Sequence, residues 1–244
     1  ACSLLEPESI DAVIDSPPYP NEKDYTRTTR LESVILGYLS DRADLRAMKD
    51  DLMRSNTRTV YKGDSDGEWV AENSRVMELA DRIEARRIEL GKTSGFEKLY
   101  HKVVRNYFGG MARHLSSLRP ALRPGARLAY VVGDQASFFR ILIRTGEILS
   151  EIGEDLGYRL DGIDLFRERV STVTGDMLRE EAVLFTWEGS PWRTGTPGSS
   201  NTSSPSTTRR VPRSSPTTSP AATTQSGFSA APRTRMSTKV ESRK

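Results

Sequence analysis

Two adjacent prolines, Pro17 and Pro18, set the first limit on how this chain can fold. They follow the short apolar run 9–15, whose β-branched residues are typical of a buried strand. Neither proline has a backbone N–H to donate to a neighbouring strand, so a central strand cannot continue through them. The sequence therefore predicts a strand that ends at Ser16, followed by a rigid loop.

Composition divides the chain near Glu188. In residues 189–244 more than half of the side chains are Ser, Thr or Pro, and apolar residues recur at no helical or strand period. We expect residues 1–188 to fold as one region and residues 189–244 to be a disordered Ser/Thr/Pro/Arg-rich tail.

The net charge of +3 comes from this tail. Nine of the 36 basic residues but one of the 33 acidic residues lie after Glu188, so the folded region is mildly acidic. The basic whole chain is therefore weak evidence that the folded region binds nucleic acid. The tail itself is either a solvated linker or a source of weak, salt-sensitive attraction to phosphates.

Few residues are available for redox or metal chemistry. The single cysteine, Cys2, excludes an internal disulfide, and with His101 and His114 it does not provide the ligands of an ordinary zinc site. The two histidines are expected in packing or surface positions. No apolar run approaches the ~18 residues of a membrane span, and the N-terminus does not have the pattern of a secretory signal. The sequence predicts a soluble, cytoplasmic protein with no metal and no membrane contact.

Alternating helix and strand periods predict an α/β fold. Helices are expected at residues 73–90, 94–120 and 138–156, with short helices between 24 and 62, and further strands at residues 127–132, 158–166 and 181–187. The first two strands should be parallel and the last two antiparallel. Ligands of such sheets bind beyond the carboxyl ends of the strands, where Ser16 and Asp134 lie. Asp134 either faces a ligand there or caps the following helix.

Ser16, Pro17, Pro18 and Tyr19 offer hydrogen-bond acceptors at this edge. The prolines fix φ and leave rigid carbonyl groups, and the Ser16 hydroxyl adds another acceptor. Acceptors fixed at both N–H bonds of an amino group draw its nitrogen toward a tetrahedral geometry and stabilise charge that grows on it. The Tyr19 ring provides a face on which a base rotated out of a helix can stack. An extended polyproline spacer is the alternative, but the position directly after a hydrophobic strand favours a functional loop.

Residues 11–19, DAVIDSPPY, resemble the target-amine motif of the amino-group DNA methyltransferases. The Ser-Pro-Pro-Tyr form is similar to the cytosine-N4 branch of this family, with adenine-N6 enzymes as the alternative. Weaker similarity in residues 24–37 and 122–134 extends the resemblance over residues 1–188. It implies the C-terminal, target-base part of a Rossmann-like methyltransferase sheet that ends in an antiparallel strand pair.

The resemblance also implies a reaction and its partners. Ser16 and Pro17 would accept the amino hydrogens of a DNA base and Tyr19 would stack on it, with S-adenosylmethionine as methyl donor. Such enzymes methylate specific DNA sites, often within restriction–modification systems. An RNA amino-methyltransferase and a non-catalytic nucleic-acid-binding fragment are the alternatives.

The donor site of this family is not recognisable in the sequence. Family members bind S-adenosylmethionine through a Phe-x-Gly-x-Gly-like turn, whereas Phe108, Gly109 and Gly110 have another spacing and are expected to serve helix packing. Residues 1–9 resemble the stretch that precedes the catalytic strand. We therefore expect a chain truncated at its N-terminus, with unknown cofactor-binding residues and a donor-binding half that is missing or carried by a separate polypeptide.

Several arginines that follow the loop could contact DNA phosphates: Arg27, Arg30, Arg42, Arg46, Arg54 and Arg58. Of these, Arg27 and Arg30 are predicted as DNA-binding residues. Scattered arginines interleaved with aspartates more often form a solvated face, which is the alternative for these residues. Residues 41–91 are the candidate insert for DNA sequence recognition, on the basis of their position alone.

Overall fold

The computed structural model of the chain describes residues 5–21, 24–171 and 174–189. They lie within one unit, Ala1–Gly195, and the second unit, Thr196–Lys244, is outside the described residues. The tail predicted at residues 189–244 therefore lies, beyond Gly189, outside them as well. No helix in the described ranges is both long and apolar enough to cross a membrane.

In the described residues the first strand is followed by five α-helices, and a sixth α-helix lies between the first two of the three remaining strands. The elements are β1 (Ile10–Asp15), α1 (Tyr25–Thr28), α2 (Arg30–Ile35), α3 (Arg42–Asp51), α4 (Ser74–Glu89), α5 (Tyr100–Leu118), β2 (Leu122–Gly133), α6 (Thr145–Asp155), β3 (Arg159–Val170) and β4 (Met177–Trp187). Short 3-10 helices lie at Asp66–Val70, Glu97–Leu99 and Arg119–Ala121.

The four strands form one sheet in the order β1-β2-β4-β3. β1 pairs parallel with β2, so that Val13 lies opposite Leu128 and Asp15 opposite Tyr130. β4 is antiparallel to both β2 and β3. The predicted α/β class and the predicted parallel pairing of the first two strands are confirmed.

The return from β1 to β2 passes through α5, whose apolar face fills the core. Its fully buried side chains are Val103, Val104, Tyr107, Phe108, Met111 and Leu115. They share one cluster with buried residues of the sheet, among them Leu128, Tyr130 and Phe185. A parallel pair needs such a crossover, and the apolar stripe of α5 packs with the sheet residues in one core.

Helix α4 forms where the apolar period predicted it. The Asn73 side chain accepts a hydrogen bond from the Val76 amide and begins the helix. Val76, Leu79, Ala80 and Ile83 are buried as expected. Leu90 was also expected on the apolar face, but it is 42% exposed because the helix ends at Glu89.

Two predicted helices are shorter in the structure. The helix expected from residue 94 begins at Tyr100, since the Ser94 side chain caps only a 3-10 turn, accepting from the Glu97 amide at 3.4 Å. The helix expected from residue 138 begins at Thr145. Gln135 and Ile143 form an antiparallel bridge instead, and the turn between them contains two residues with positive φ, which a helix excludes.

Strand β2 is longer than predicted at its start. The sequence Pro124-Gly125 is typical of a turn, and the predicted strand begins after it, at residue 127, but both residues lie within Leu122–Gly133. The pairing with β1 shifts there, between Ile10 and Ala12, and Gly125 has a φ of +87°. The turn residues thus form an irregularity in the strand rather than its boundary.

The paired glycines of α5 serve packing, as expected. A Cβ on Gly109 would lie 1.8 Å from the carbonyl oxygen of Asp66, so the 3-10 helix at Asp66–Val70 rests directly on the α5 backbone. The Gly67 amide donates to Asn106 Oδ1 at 3.1 Å in the same contact. Gly110 is less crowded, because its Cβ would be 3.4 Å from Met53 Cγ.

This difference predicts opposite effects for two neighbouring substitutions. Gly109→Ala should destabilise the protein by about 1–3 kcal/mol, because the Asp66 backbone must move. Gly110→Ala should be neutral or stabilising by up to about 1 kcal/mol, because alanine favours the helix and finds space. Urea unfolding of both variants measures this, and equal losses of stability would contradict the proposed backbone contact.

Candidate functional site

The loop formed by residues 16–19, called the SPPY loop below, begins where β1 ends. It lies at the carboxyl edge of the parallel pair, since Asp15 is opposite Tyr130 and β2 continues to Gly133. Pro17 is buried, Pro18 and Tyr19 are half-buried, and Ser16 is exposed. The prolines therefore anchor the loop and leave the serine accessible.

The Tyr19 ring rests on the last residue of β2. A Cβ at Gly133 would lie 2.6 Å from Tyr19 Cε2 and 2.9 Å from Cδ2. Any side chain at this position would displace the ring, so glycine permits the contact between the loop and the strand. The sequence placed Gly133 at a strand end but gave no sign that Tyr19 packs on it.

Buried polar residues lie beneath the same edge. Tyr107 of α5 is fully buried, and burial raises the pKa of its phenol; among the described residues its hydroxyl has no hydrogen-bond partner. His114 Nε2 lies 2.9 Å from the Tyr130 hydroxyl, and burial lowers the pKa of this histidine. The expectation that His114 serves packing agrees with this position.

Asp134 is held inside the protein by two arginines. Its Oδ2 accepts from Arg144 Nη1 at 2.5 Å and from the backbone amide and Nε of Arg179 at 3.1 and 3.2 Å. The capping role that the sequence suggested is not observed, because α6 begins after Arg144 without a side-chain cap, and the Asp134 carboxylate is buried. Asp134 is instead the centre of an ion-pair network.

This network joins the sheet to two helices. Arg179 Nη2 lies 2.8 Å from Glu147 of α6, and Glu147 in turn pairs with Arg75 of α4 at 2.5 Å. Glu181 of β4 lies 3.0 Å from Arg179 Nε. Burial raises the pKa of Glu181 above its ordinary value, an effect that Arg179 opposes and Asp134 strengthens. The edge that carries Gly133 is thus fixed from below by charged groups.

A hairpin extends past this edge. β2 ends at Gly133, opposite Glu180, whereas β4 begins at Met177 and β3 runs to Val170. The register shifts between Leu165 and Arg167 and leaves Phe166 73% exposed. Both strands are longer than the predicted ranges 158–166 and 181–187. The prediction was too short because the additional residues are mostly charged and show no apolar period.

Arg167 brings this hairpin close to the SPPY loop. Its Nη2 lies 2.9 Å from Glu180 Oε1. The hydrogen bond from Arg167 to Glu180 raises the pKa of the guanidinium, and Tyr19 is near enough to act in the same direction. The hairpin therefore carries a charged pair past the end of β2.

The predicted DNA-contacting arginines are both exposed. Arg27 is on α1 and Arg30 on α2, where the Arg30 Nε donates to the Thr26 carbonyl at 3.3 Å. Arg27, but not Arg30, lines a polar cavity of about 480 Å³. The other lining residues are Asn21, Asp24, Thr28, Asn56, Thr57 and Arg58.

The candidate insert at residues 41–91 is held by contacts within itself and by contacts with α5. Arg54 is buried and donates to the carbonyls of Lys49 and Asp50 at the end of α3. Asp66 pairs with Arg113 of α5 at 2.8 Å. Arg54 is therefore an internal cap rather than an outward cation, while recognition by the exposed parts of the insert stays a prediction.

The described residues offer no group of three or more His, Cys, Asp or Glu side chains that could hold a metal ion. The chemistry that the site provides is that of the SPPY loop itself: an exposed hydroxyl, proline carbonyls and an aromatic ring. These groups suit the binding and polarisation of a flat ligand with an amino group.

Sequence comparison finds methyltransferases among known proteins. The chain is 26% identical to the Type II methyltransferase M.AvaI of Nostoc sp. over 163 residues, which is 65% of this chain and 33% of the relative. It is 25% identical to the Type II methyltransferase M.BsoBI of Geobacillus stearothermophilus over 185 residues, 69% of this chain and 35% of the relative. The chain thus spans about a third of the length of these curated relatives.

No protein-family model matches the chain, and no solved structure is significantly similar to it. The M.AvaI of Anabaena variabilis matches to the same extent as that of Nostoc sp.. These relatives confirm the resemblance to DNA methyltransferases that the sequence predicted.

The buried network makes a prediction about pH. Because the pKa of Glu181 is raised in the folded state, its contribution to stability is complete below its ordinary pKa of 4.5 and is lost as pH rises through the folded value. Glu181→Gln cannot ionise, so the variant should gain in unfolding free energy relative to wild type between about pH 4.5 and neutral pH. Urea unfolding at several pH values measures the difference, and a difference independent of pH would contradict the assignment.

Proposed function

We propose that this relative of the Type II methyltransferases is the target-base part of an S-adenosylmethionine-dependent DNA methyltransferase that modifies an exocyclic amino group. One observation carries the proposal: the Ser-Pro-Pro-Tyr sequence lies at the carboxyl edge of a parallel strand, with Tyr19 seated on Gly133. The four-stranded sheet is then part of a Rossmann-like methyltransferase domain. Site-specific methylation within restriction–modification is the corresponding biological role.

The SPPY loop acts by placing acceptors around the target nitrogen. An exocyclic amino nitrogen is a poor nucleophile, because its lone pair is delocalised into the ring. The exposed Ser16 hydroxyl and the Pro17 carbonyl accept hydrogen bonds from its two N–H groups and stabilise the charge that grows on the nitrogen. Since Pro17 is buried and its φ is fixed, little reorganisation is needed when the base arrives.

Tyr19 holds the base once it has left the double helix. A base rotated out of the stack loses its neighbours, and an aromatic side chain replaces part of that stacking. The Tyr19 ring is half-buried, and its Cε2 and Cδ2 atoms lie against Gly133, which restrains the position of the ring. Cytosine N4 is the favoured target because the motif begins with Ser16, and adenine N6 is the alternative.

S-adenosylmethionine supplies an electrophilic methyl group when bound, but the described residues do not fit a complete donor site. Asp134, the buried carboxylate at the end of β2, is already bound by Arg144 and Arg179. The outer edge of β1 is free of other strands in the described ranges, and Ile14 is 85% exposed there. We propose that a donor-binding strand pairs with this edge, whether it belongs to the same protein or to a separate polypeptide.

Transfer of a labelled methyl group to DNA tests the function. The chain is assayed alone and with the polypeptide encoded directly upstream, with RNA as a second substrate and with identification of the methylated base. Tyr19→Ala should reduce transfer roughly 5- to 150-fold, since base stacking contributes ~1–3 kcal/mol, while Tyr19→Phe should keep most of it. Transfer that is unaffected by Tyr19→Ala, or that prefers RNA, would reject the DNA assignment.

The seat of Tyr19 gives an independent prediction. Gly133→Ala should reduce transfer about as much as Tyr19→Ala, because the new Cβ displaces the ring. Gly162→Ala on β3 is the matched control, since a Cβ there meets nothing within 4 Å. The double variant Gly133→Ala/Tyr19→Ala should be no worse than either single variant. Additive losses would show that Gly133 does not act through Tyr19.

A further inference from the structure

The polar cavity of about 480 Å³ next to the SPPY loop is lined by residues from two distant segments. Asn21 follows the loop closely, and its amide donates to the Ser55 carbonyl at 2.6 Å, which joins the two segments. Asn56 lines this cavity and also a smaller one that contains Pro18. The cavity therefore adjoins the loop that is proposed to bind the target base.

The acidic residue in the lining, Asp24, already has partners for its negative charge. Asp24 Oδ1 accepts from the Thr26 hydroxyl at 2.6 Å, and Oδ2 lies 3.3 Å from Lys49 Nζ. Burial acts to raise the pKa of Asp24, but the hydrogen bonds from Thr26 and Lys49 outweigh it and hold the pKa below its ordinary value. The Asp24 carboxylate is therefore negatively charged and paired with Lys49, so its charge does not offset that of the arginines in the lining.

Two arginines give the cavity its positive charge. Arg27 and Arg58 are exposed, and among the described residues no carboxylate pairs with either of them. The Arg58 guanidinium lies 5.7 Å from the centre of the Phe96 ring, which supports it from one side. Other arginines nearby, such as Arg54, are bound to carboxylates. Two unpaired guanidinium groups at one cavity are suited to an anion.

We propose that this cavity binds a phosphate of the DNA backbone beside the target nucleotide. The inference rests on the proposed function, because it takes the ligand of the SPPY loop to be a base of DNA. One guanidinium group can donate two parallel hydrogen bonds to the oxygens of a phosphate. Contacts to phosphates fix the register of a protein on DNA. A phosphate held between Arg27 and Arg58 keeps the backbone in place while the base is rotated into the loop.

This assignment changes the set of arginines that the sequence suggested. Arg27 remains, whereas Arg30 is absent from the cavity lining and donates to the Thr26 carbonyl. Arg58, which the sequence also suggested as a phosphate contact, lies in the candidate recognition insert, 31 positions further along the chain. The insert is then connected to the catalytic loop by the DNA backbone as well as by the Asn21–Ser55 hydrogen bond.

The salt dependence of DNA binding by the full chain tests the phosphate site. Binding of labelled duplex DNA is followed by fluorescence anisotropy at increasing salt. Arg27→Gln and Arg58→Gln should each lower the slope of log K against log salt by about 1, and the double variant by about 2. Arg46→Gln on α3, with the same change in charge, is the control, because Arg46 is exposed and outside the cavity lining.

The outcomes separate this inference from the proposed function. Equal slopes for the cavity variants and Arg46→Gln, or absence of salt-dependent binding by wild type, would overturn the phosphate site. Lowered slopes without methyl transfer by chain and upstream polypeptide would support the phosphate site and reject the enzyme assignment. Methyl transfer with unchanged slopes would support the enzyme assignment and reject the phosphate site. Unaltered thermal unfolding of the variants shows that the exposed substitutions leave the fold intact.

Discussion

The parallel pairing of β1 with β2 dictates how the rest of the chain must run, because two parallel strands cannot be joined by a tight turn. The connection has to return along the sheet, and α5 does so by burying a continuous apolar face against it. Its Gly109 then lets the segment at Asp66–Val70 rest on the helix backbone, which brings the insert against the core. One consequence is functional: the carboxyl ends of β1 and β2 meet at one edge, and so do the loop after β1 and the glycine that ends β2.

The charged network beneath that edge stabilises its geometry more than the fold as a whole. Burying Asp134 and Glu181 costs desolvation energy, and pairing with Arg144 and Arg179 offsets part of that cost. In the described residues Asp134 Oδ1 and Glu181 Oε2 are both buried without a hydrogen-bond partner, so the compensation is incomplete. What the network provides is a fixed position for the end of β2, on which the Tyr19 ring depends.

Local patterns in the sequence predict the helices and strands but not the contacts between residues that lie far apart in the chain. The apolar stripes of α4 and α5 and the prolines after β1 are periodic or steric signals that act over a few residues. The structure has these elements within the predicted ranges, although α5 begins six residues later than predicted. The seat of Tyr19 on Gly133 joins residues more than a hundred positions apart, and no local pattern encodes such a contact. The same holds for Arg27 and Arg58 at one cavity.

Where local signals failed, a competing interaction replaced them. The apolar run near Phe138 suggested a helix, but the bridge between Gln135 and Ile143 uses that segment differently. The charged ends of β3 and β4 have no apolar period, yet they pair because a hairpin satisfies its own backbone groups without a buried face. Asp134 had two plausible roles in the sequence, but it is bound by two arginines, Arg144 ten positions away and Arg179 45 positions away.

The strand order around the SPPY loop leaves the outer edge of β1 for the donor-binding strand that we propose. On the β2 side, the Tyr19 ring lies against Gly133, and the Asp134 network follows directly in the chain. The outer edge of β1 is the side on which no strand of the described residues pairs, and it begins directly before Ser16. If the proposed donor-binding strand pairs with that edge, the donor site would lie next to Ser16, which directly follows β1.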